Sequence, residues 1–149
     1  MQITHEFLTP RNIFEKLIRD YEQLDIRVSG DNFFNFISTA YHLQHWIKHS
    51  PVNDTEQGKR LTKKAAKDPC TKLCKDIALA EKQYKIFIED PSLMNGTELD
   101  FTSPPVKHDI EAYKDGSRTF KLLVDENEFD IYELKDEIMN VYKSYFHIK

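Results

Sequence analysis

The segment AYHLQHWIKHS at positions 40–50 places three histidines around the chain's only tryptophan. Imidazole side chains bind metal ions, transfer protons near neutral pH, or form hydrogen bonds with a partner. His42, His45 and His49 are separated by three and four residues, so on an α-helix they share one face. This spacing predicts a metal site, a proton-transfer site or an exposed polar face.

The apolar residues of the same helix predict which of its sides is buried. At roughly 100° per residue, the histidines lie opposite an apolar stripe, and Asn35 and Ser38 share the histidine side. Three aromatic residues flank this side: Phe34, Tyr41 and Trp46. Because aromatic residues beside a polar strip are typical of contact surfaces, two interpretations stay open, a solvated face and a partner-binding surface. The stripe itself consists of Phe33, Phe36, Ile37, Ala40, Leu43 and Ile47.

Metal binding through His42, His45 and His49 is a third interpretation, but no carboxylate or second motif of known spacing accompanies these residues. Cys70 and Cys74 are four residues apart on an apolar helix face, so we expect free thiols that point into the core. The histidines have no serine or cysteine motif beside them, and a Gly-rich phosphate loop is absent from a chain with four glycines. We therefore expect no metal and no cofactor.

Basic and acidic residues are segregated along a chain whose net charge is −4. Between positions 125 and 140 there are seven acids and a single lysine. Two interpretations stay open: both stretches are solvated or attract each other within the fold, or the basic stretch contacts phosphate groups. The basic stretch contains one acid and seven basic residues: Lys59, Arg60, Lys63, Lys64, Lys67, Lys72 and Lys75.

Cap residues and prolines predict three helices in the N-terminal part of the chain. A cap residue followed by proline is a start signal, because proline suits the first helical position. The spacing of the apolar residues then gives each helix a buried side. The predicted helices begin at Thr9-Pro10, run from Asp31 to His49, and run from Asp68-Pro69 to just before Pro91, with connections at 51–58 and 92–105.

The pattern changes in the C-terminal part. Extended runs at 106–113 and 119–124 flank Asp115-Gly116, which is a hairpin signal, and Asp130 begins a capping box for a last helix. Because a lone hairpin is marginal in water, we predict a mainly α fold. A small helical bundle, about 9–90, would carry a C-terminal β-hairpin and a final helix, about 106–146, packed against it, as a single domain over 1–149.

No apolar run reaches the roughly 18 residues of a membrane span. The start of the chain also lacks a basic region followed by an apolar core, so a secretion signal is not predicted. We therefore expect a cytoplasmic protein without a membrane partner, and two free cysteines suit that compartment.

Two motifs resemble those of a widespread family of small bacterial helical proteins. FNFISTAYHLQHWI at 34–47 is similar to its FNFxxTAYHLxDW helix, and CKDIALAEKQYKI at 74–86 to its CRDIANGxKHF helix. A first helix opening with Thr-Pro and a C-terminal hairpin plus helix also match the layout of this family. The resemblance covers most of the chain and implies a fold, but it implies no assigned activity.

The second motif also resembles the helical HEPN proteins, many of which are dimeric ribonucleases in toxin–antitoxin or antiphage systems. In these an arginine polarises phosphate, and a histidine on the same helix transfers a proton during attack by the RNA 2′-hydroxyl. Here Lys75, followed by Asp76, stands in place of the arginine, and Gln83 in place of the histidine at a longer spacing. Lysine loses the bidentate fork and glutamine cannot exchange a proton, so catalysis would require His42 or His45 beside Lys75.

These observations favour a non-catalytic binding module with a protein or RNA partner, and the HEPN resemblance implies a homodimer. The first alternative is a divergent, metal-independent HEPN-like endoribonuclease with His42, Lys75 and Asp76 as catalytic candidates. The second alternative is a metal-binding helical protein that uses the histidine face. The predicted binding residues are Tyr41, His42, His45, Trp46, Lys63, Lys64 and Lys75.

Overall fold

A computed structural model describes residues 9–49, 56–89, 97–98 and 108–146. Within these ranges the chain is mainly helical, with a small antiparallel sheet towards the C-terminus and a final helix, which confirms the predicted fold class. The helices are α1 (Pro10–Ile26), α2 (Gly30–Lys48), α3 (Glu56–Lys67), α4 (Pro69–Ala78), α5 (Asp109–Lys114) and α6 (Ile131–Tyr145). The strands are β1 (Tyr84–Glu89), β2 (Thr97–Glu98), β3 (Thr119–Val124) and β4 (Asn127–Asp130).

Helices α1 and α2 pack against each other and start close to the predicted positions. The Thr9 N–H donates to Asn12 Oδ1 at 3.1 Å, and a proline follows as the first residue of α1. The N-cap of α2 is Ser29, whose hydroxyl accepts the Asn32 N–H at 3.0 Å. The prediction that Asp31 is the cap is therefore wrong. Asp31 lies in the first turn of α2, where its charge is favourable at the positive end of the helix dipole.

Helix α3 occupies part of a region that was predicted to be a loop. Residues 56–58 belong to the helix, whereas 51–55 lie outside the described residues. The sequence EQGKRLTKKAAK consists mostly of strong helix formers, and its acid at the start and lysines at the end suit the helix dipole. The polar composition of this region is thus that of a helix with an exposed charged face.

The predicted third helix starts at its expected cap, Asp68, but as α4 it already ends at Ala78. Ala80 has a φ of +58°, a left-handed conformation that is typical just after a helix. Residues 84–89, YKIFIE, form strand β1, so the prediction of a helix reaching Pro91 is wrong. Aromatic and β-branched residues favour strands, and β1 pairs along its whole length with β3.

The C-terminal hairpin lies later in the chain than predicted. Strand β3 matches the predicted run at 119–124, but 109–114 form helix α5, and 106–107 lie outside the described residues. Gly116, with a φ of +78°, turns the chain from α5 into β3 and does not join two strands. The hairpin instead joins β3 to β4 through a turn at Asp125, which has a φ of +56° that aspartate tolerates.

The strands form an antiparallel sheet in the order β2-β1-β3-β4. Strand β2 falls within 92–105, which was predicted to be a connection; the other residues of that range lie outside the described ones. Alternate residues of β3 are buried, and α6 packs on β3 and β4. Asp130 caps α6 as predicted, since its Oδ1 accepts the N–H groups of Tyr132 and Glu133.

One hydrophobic cluster joins α1, α2, α4, β1, β3 and α6. The Tyr142 hydroxyl donates to the Ala40 carbonyl at 3.0 Å, so the final helix is bonded to the middle of α2 in the interior of the fold. In the part of the chain that the structure describes, no helix combines the length and apolar composition needed to cross a bilayer.

Cys70 and Cys74 are free thiols on α4. Cys74 is buried in the core as predicted, whereas Cys70 is half-buried and its thiol donates to Glu137 Oε2 at 2.9 Å. Burial and the neighbouring Glu137 carboxylate raise the pKa of Cys70 to about 12. The thiol therefore stays protonated at neutral pH, where it is a poor nucleophile.

Candidate functional site

An open groove of about 410 Å³ runs between α1 and α2. Two residues of α1 form one wall, and six residues of α2 form the floor and the other wall. Most of the lining is apolar, and the polar groups in it come from both helices. The lining residues are Ile13, Lys16, Phe34, Asn35, Ser38, Thr39, His42 and Trp46.

The helical repeat of α2 brings its lining residues together. Phe34, Ser38, His42 and Trp46 recur every four residues, so they follow one another along a single side of the helix. Phe34 is 41% exposed, which is unusual for a large apolar side chain in this fold. This side of α2 therefore has aromatic residues at its two ends and polar residues between them.

A closed set of polar contacts joins two residues that line the groove, Lys16 and Thr39, to Asp20 of α1. Lys16 Nζ is 2.7 Å from Asp20 Oδ2 and donates to Thr39 Oγ1 at 2.9 Å. The Thr39 hydroxyl in turn donates to Asp20 Oδ2 at 2.6 Å. The charge of Lys16 is thus balanced by Asp20, and the buried hydroxyl of Thr39 has both a donor and an acceptor.

The imidazole of His42 is the titratable group that the groove perturbs. Partial burial lowers the pKa of His42 below the ordinary histidine value, and the positive charges of His45 and Lys16 lower it further. His42 is therefore neutral at neutral pH, with one ring nitrogen that donates and one that accepts a hydrogen bond.

The other two histidines lie outside the groove on the exposed side of α2. His42, His45 and His49 are all exposed, which confirms the prediction that they face away from the core. The rings of His45 and His49 are 4.4 Å apart between centroids, and Tyr41 is half-buried with its ring 5.5 Å from that of His42. The histidine face thus adjoins the groove through His42 alone.

Within the described ranges, the histidines are not accompanied by the partners that a metal site needs. Among the described residues, no group of three or more His, Cys, Asp or Glu side chains is arranged to hold a metal ion. Cys74, the potential ligand that was predicted to face the core, is indeed buried there. The geometry therefore gives no support to metal binding by the histidine face.

No contact within the described part of the chain brings the three catalytic candidates, His42, Lys75 and Asp76, together. Lys75 is exposed on α4, whereas Asp76 is buried, with its carboxylate 4.0 Å from Lys82 Nζ. Neither residue lines the groove, and neither is among the charges that shift the pKa of His42. Gln83 lies beyond the end of α4, so it does not share a helix with Lys75 as the HEPN resemblance implies. The ribonuclease alternative stays a prediction.

The sequence indicates one side of the groove but not the other. Of the predicted binding residues, His42 and Trp46 line the groove, while Lys63 and Lys64 are exposed on α3. The i, i+4 spacing of Lys16 and Asp20 signals an ion pair on α1, but nothing in it indicates that α2 supplies the partner hydroxyl.

Comparison of the chain with models of protein families, with curated proteins and with solved structures gives no match. The two predicted resemblances therefore stay predictions, and the function of the groove rests on its own geometry.

Proposed function

We propose that the protein is a non-catalytic binding module whose α1–α2 groove holds an uncharged aromatic ring that carries hydrogen-bonding groups. The observation that supports this function is the combination, in one concave site, of aromatic walls with a few neutral polar groups. Ligand pockets typically have an apolar lining, a small number of polar groups that fix orientation, and a volume of roughly 300–1,000 Å³.

The walls of the groove favour a flat ring as the occupant. Phe34 and Trp46 stand at its two ends and Ile13 lies on the opposite helix. Aromatic rings pack on one another in offset or edge-to-face arrangements and gain roughly 0.5–1.5 kcal/mol beyond the burial of their area. A ring that packs on Phe34 would also cover the exposed part of that side chain.

The polar groups favour an occupant without net charge. The charge of Lys16 is already balanced by Asp20, and His42 is neutral at neutral pH. A charged ligand would lose hydration without gaining a free counter-charge, which is costly in a mainly apolar site. Asn35, Ser38 and His42 supply donors and acceptors that an uncharged heteroatom-bearing ring can use.

This ring chemistry occurs both in a nucleobase of RNA and in the tyrosine side chain of a partner protein. All groove residues belong to one chain, so a homodimer is not required to complete the site. In RNA the ring is carried by a sugar-phosphate chain, and in a protein by a polypeptide. Small compounds that contain one kind of ring or the other distinguish the two sources experimentally.

The fluorescence of Trp46 tests the proposal directly, because it is the only tryptophan and it lines the groove. The protein is titrated with adenosine, uridine and N-acetyltyrosinamide, and with N-acetylleucinamide as an apolar ligand without a ring. We expect a saturable change with at least one ring compound and none with the leucine derivative. Saturation by nucleosides alone indicates RNA, and saturation by the tyrosine derivative alone indicates a protein partner.

A pair of variants locates the binding site. Phe34→Ala removes an exposed wall of the groove and should weaken ring binding about three- to tenfold, in line with roughly 0.5–1.5 kcal/mol for an aromatic contact. His49→Ala changes an exposed residue outside the groove and should leave the affinity unchanged. Equal affinities of wild type and Phe34→Ala, or the absence of saturation with every ring compound, would contradict the proposed function.

A further inference from the structure

Helices α3 and α4 contact each other and carry seven basic residues, which we name together the basic strip. The six lysines of this strip are all exposed, and none forms an ion pair with a residue that the structure describes. Its one arginine is 3.9 Å from Glu56 Oε2, in a contact whose side chains are 79% and 87% exposed. The strip consists of Lys59, Arg60, Lys63, Lys64 and Lys67 on α3, and Lys72 and Lys75 on α4.

The acidic residues near the C-terminus do not neutralise this strip through any ion pair in the described ranges. Asp125 pairs with Lys82 at 3.5 Å, and Asp136 lies 3.6 Å from Lys135 Nζ. Asp68, the acid inside the basic stretch, is used as the cap of α4. The described residues thus include no direct ion pair through which the acidic and basic stretches would attract each other within the fold.

We infer that the basic strip binds the phosphate backbone of a nucleic acid. At about 100° per residue, the five basic residues of α3 fall within roughly 140° of its circumference, so their charges project from one side. Lys59, Lys63 and Lys67 follow one another at about 6 Å along the helix axis. A row of evenly spaced cations matches a regular row of phosphates, and lysine contacts them as a point charge.

The strip contains no aromatic residue and only one arginine, so it has few groups that read bases. Binding should therefore depend on charge and be largely independent of nucleotide sequence. A net charge of −4 makes the whole protein a poor polyanion binder, and the strip must then act as a local patch.

The packing of α3 favours a nucleic acid over an anionic membrane. A helix that lies on a bilayer inserts an apolar face between the lipid headgroups. Helix α3 packs against α2, α4 and α6, so the side opposite its exposed lysines is occupied by the fold. None of the strip residues lines the α1–α2 groove, so this inference does not depend on the ring-binding proposal.

Fluorescence anisotropy with a labelled single-stranded RNA and a labelled DNA duplex tests the inference, in salt from about 50 to 200 mM, the range over which phosphate contacts are lost. The strip variant is Lys63→Gln/Lys64→Gln. The control is Arg19→Gln/Lys114→Gln, which removes the same charge from two exposed residues outside the strip. Glutamine, lysine and arginine have similar helix propensities, and circular dichroism verifies that both variants keep their helices.

We expect wild type to bind at low salt, with an affinity that falls steeply as salt is added. In the strip variant the slope of log affinity against log salt should become shallower by about 1.4 for single strands, because each phosphate contact contributes roughly 0.7. The affinity at low salt should fall about tenfold, and the control should stay within about twofold of wild type.

Three outcomes would overturn the inference. The first is no binding of either nucleic acid by the 149-residue chain at low salt. The second is an equal loss in the strip variant and in the control, which would mean that net charge alone is responsible. The third is binding to vesicles of anionic phospholipid without binding to RNA or DNA, which would assign the strip to a membrane.

Discussion

At the residue scale, the groove presents no net charge to a ligand, because the cation that lines it is paired with a neighbouring carboxylate and its imidazole is neutral. Lys16, Asp20 and Thr39 bond to one another, and the cation in this set helps to keep His42 neutral. The neighbouring His45 acts in the same direction from the outer face of α2. His42 is thus held by its surroundings in the form that can both donate and accept a hydrogen bond.

Replacing His45 by glutamine tests this electrostatic account. His45→Gln removes a positive charge that lowers the pKa of His42, so the pKa of His42 should rise towards the ordinary histidine value. The rise should be partial, because burial is the larger cause and remains in the variant. NMR titration of the imidazole resonances measures it, with His49→Gln as a control that leaves the pKa of His42 unchanged.

Because the pKa of His42 is lowered, both the stability of the fold and the binding of a ring should decrease on acidification. On acidification, His42 is protonated at a higher pH in the unfolded chain than in the folded protein. His42 therefore destabilises the fold as the pH falls from the ordinary histidine pKa through the lowered pKa of the folded state. Ring binding should likewise be constant above neutrality and weaken on acidification, when His42 becomes charged. An unchanged pKa of His42 in His45→Gln would show that the two histidines do not interact.

The residues of the groove differ in how far sequence predicts them. His42 and Trp46 were predicted because one helical period, read within α2, places them on its exposed side. Lys16 and Thr39 were missed, because they are 23 positions apart and their contact exists only once α1 packs against α2. Local periodicity gives the face of one helix, but a groove between two helices requires their packing.

At the element scale, the helix starts that carry a cap residue followed by proline were predictable, and short segments were harder. Thr9 and Asp68 are followed by proline, and this local signal fixes the start of α1 and α4. The run YKIFI in β1 has apolar residues at spacings that suit both a helix and a strand, and its pairing with β3 decides for the strand. Helix α5 replaced a predicted strand for the same reason, since short segments are decided by tertiary contacts.

The short connection between α1 and α2 is held by a residue of α5. The carboxylate of Asp109 accepts the backbone N–H of Val28, and both residues are buried. Burial is the main influence on the pKa of Asp109 and raises it, while the Val28 N–H and the charges of Arg118 and Arg27 oppose the rise. Asp109 thereby helps to fix how α1 enters α2, and these two helices form the groove.

Two substitutions of Asp109 separate its hydrogen bond from its charge. Asp109→Ala leaves the buried N–H of Val28 without an acceptor, so the free energy of unfolding should fall by about 1–3 kcal/mol. Asp109→Asn keeps an acceptor oxygen in place and should stay closer to wild type. Urea denaturation followed by circular dichroism measures both, and equal losses in the two variants would mean that the hydrogen bond is not the stabilising contact.

The pH dependence gives a second readout for the same residue. Because the pKa of Asp109 is higher in the folded than in the unfolded protein, its contribution to stability is largest in acid, below the unfolded value. This contribution to stability is lost as the pH rises through the pKa that Asp109 has in the folded protein. Asp109→Asn cannot titrate and should lack this component of the pH profile of stability.

At the scale of the whole molecule, the basic strip and the groove belong to different pairs of helices. The groove lies between α1 and α2, and the basic strip lies on α3 and α4. The segregation of charge was predictable from the sequence, because the basic residues lie close together between Lys59 and Lys75. The sequence could not predict that these lysines form no ion pair with any residue of the described ranges, because that depends on where α6 packs and on what its acids contact.

The shared core predicts how the molecule unfolds. One hydrophobic cluster includes residues of α1, α2, α4, β1, β3 and α6, so the sheet cannot be exposed without exposing parts of the helices as well. We therefore expect a single cooperative transition in urea, with coincident curves from far-ultraviolet circular dichroism and from Trp46 fluorescence. Amide exchange in β3 should then have the same free energy as that in α2. Separate transitions, or a sheet that exchanges at lower free energy than the helices, would mean that the bundle and the C-terminal hairpin are independent folding units.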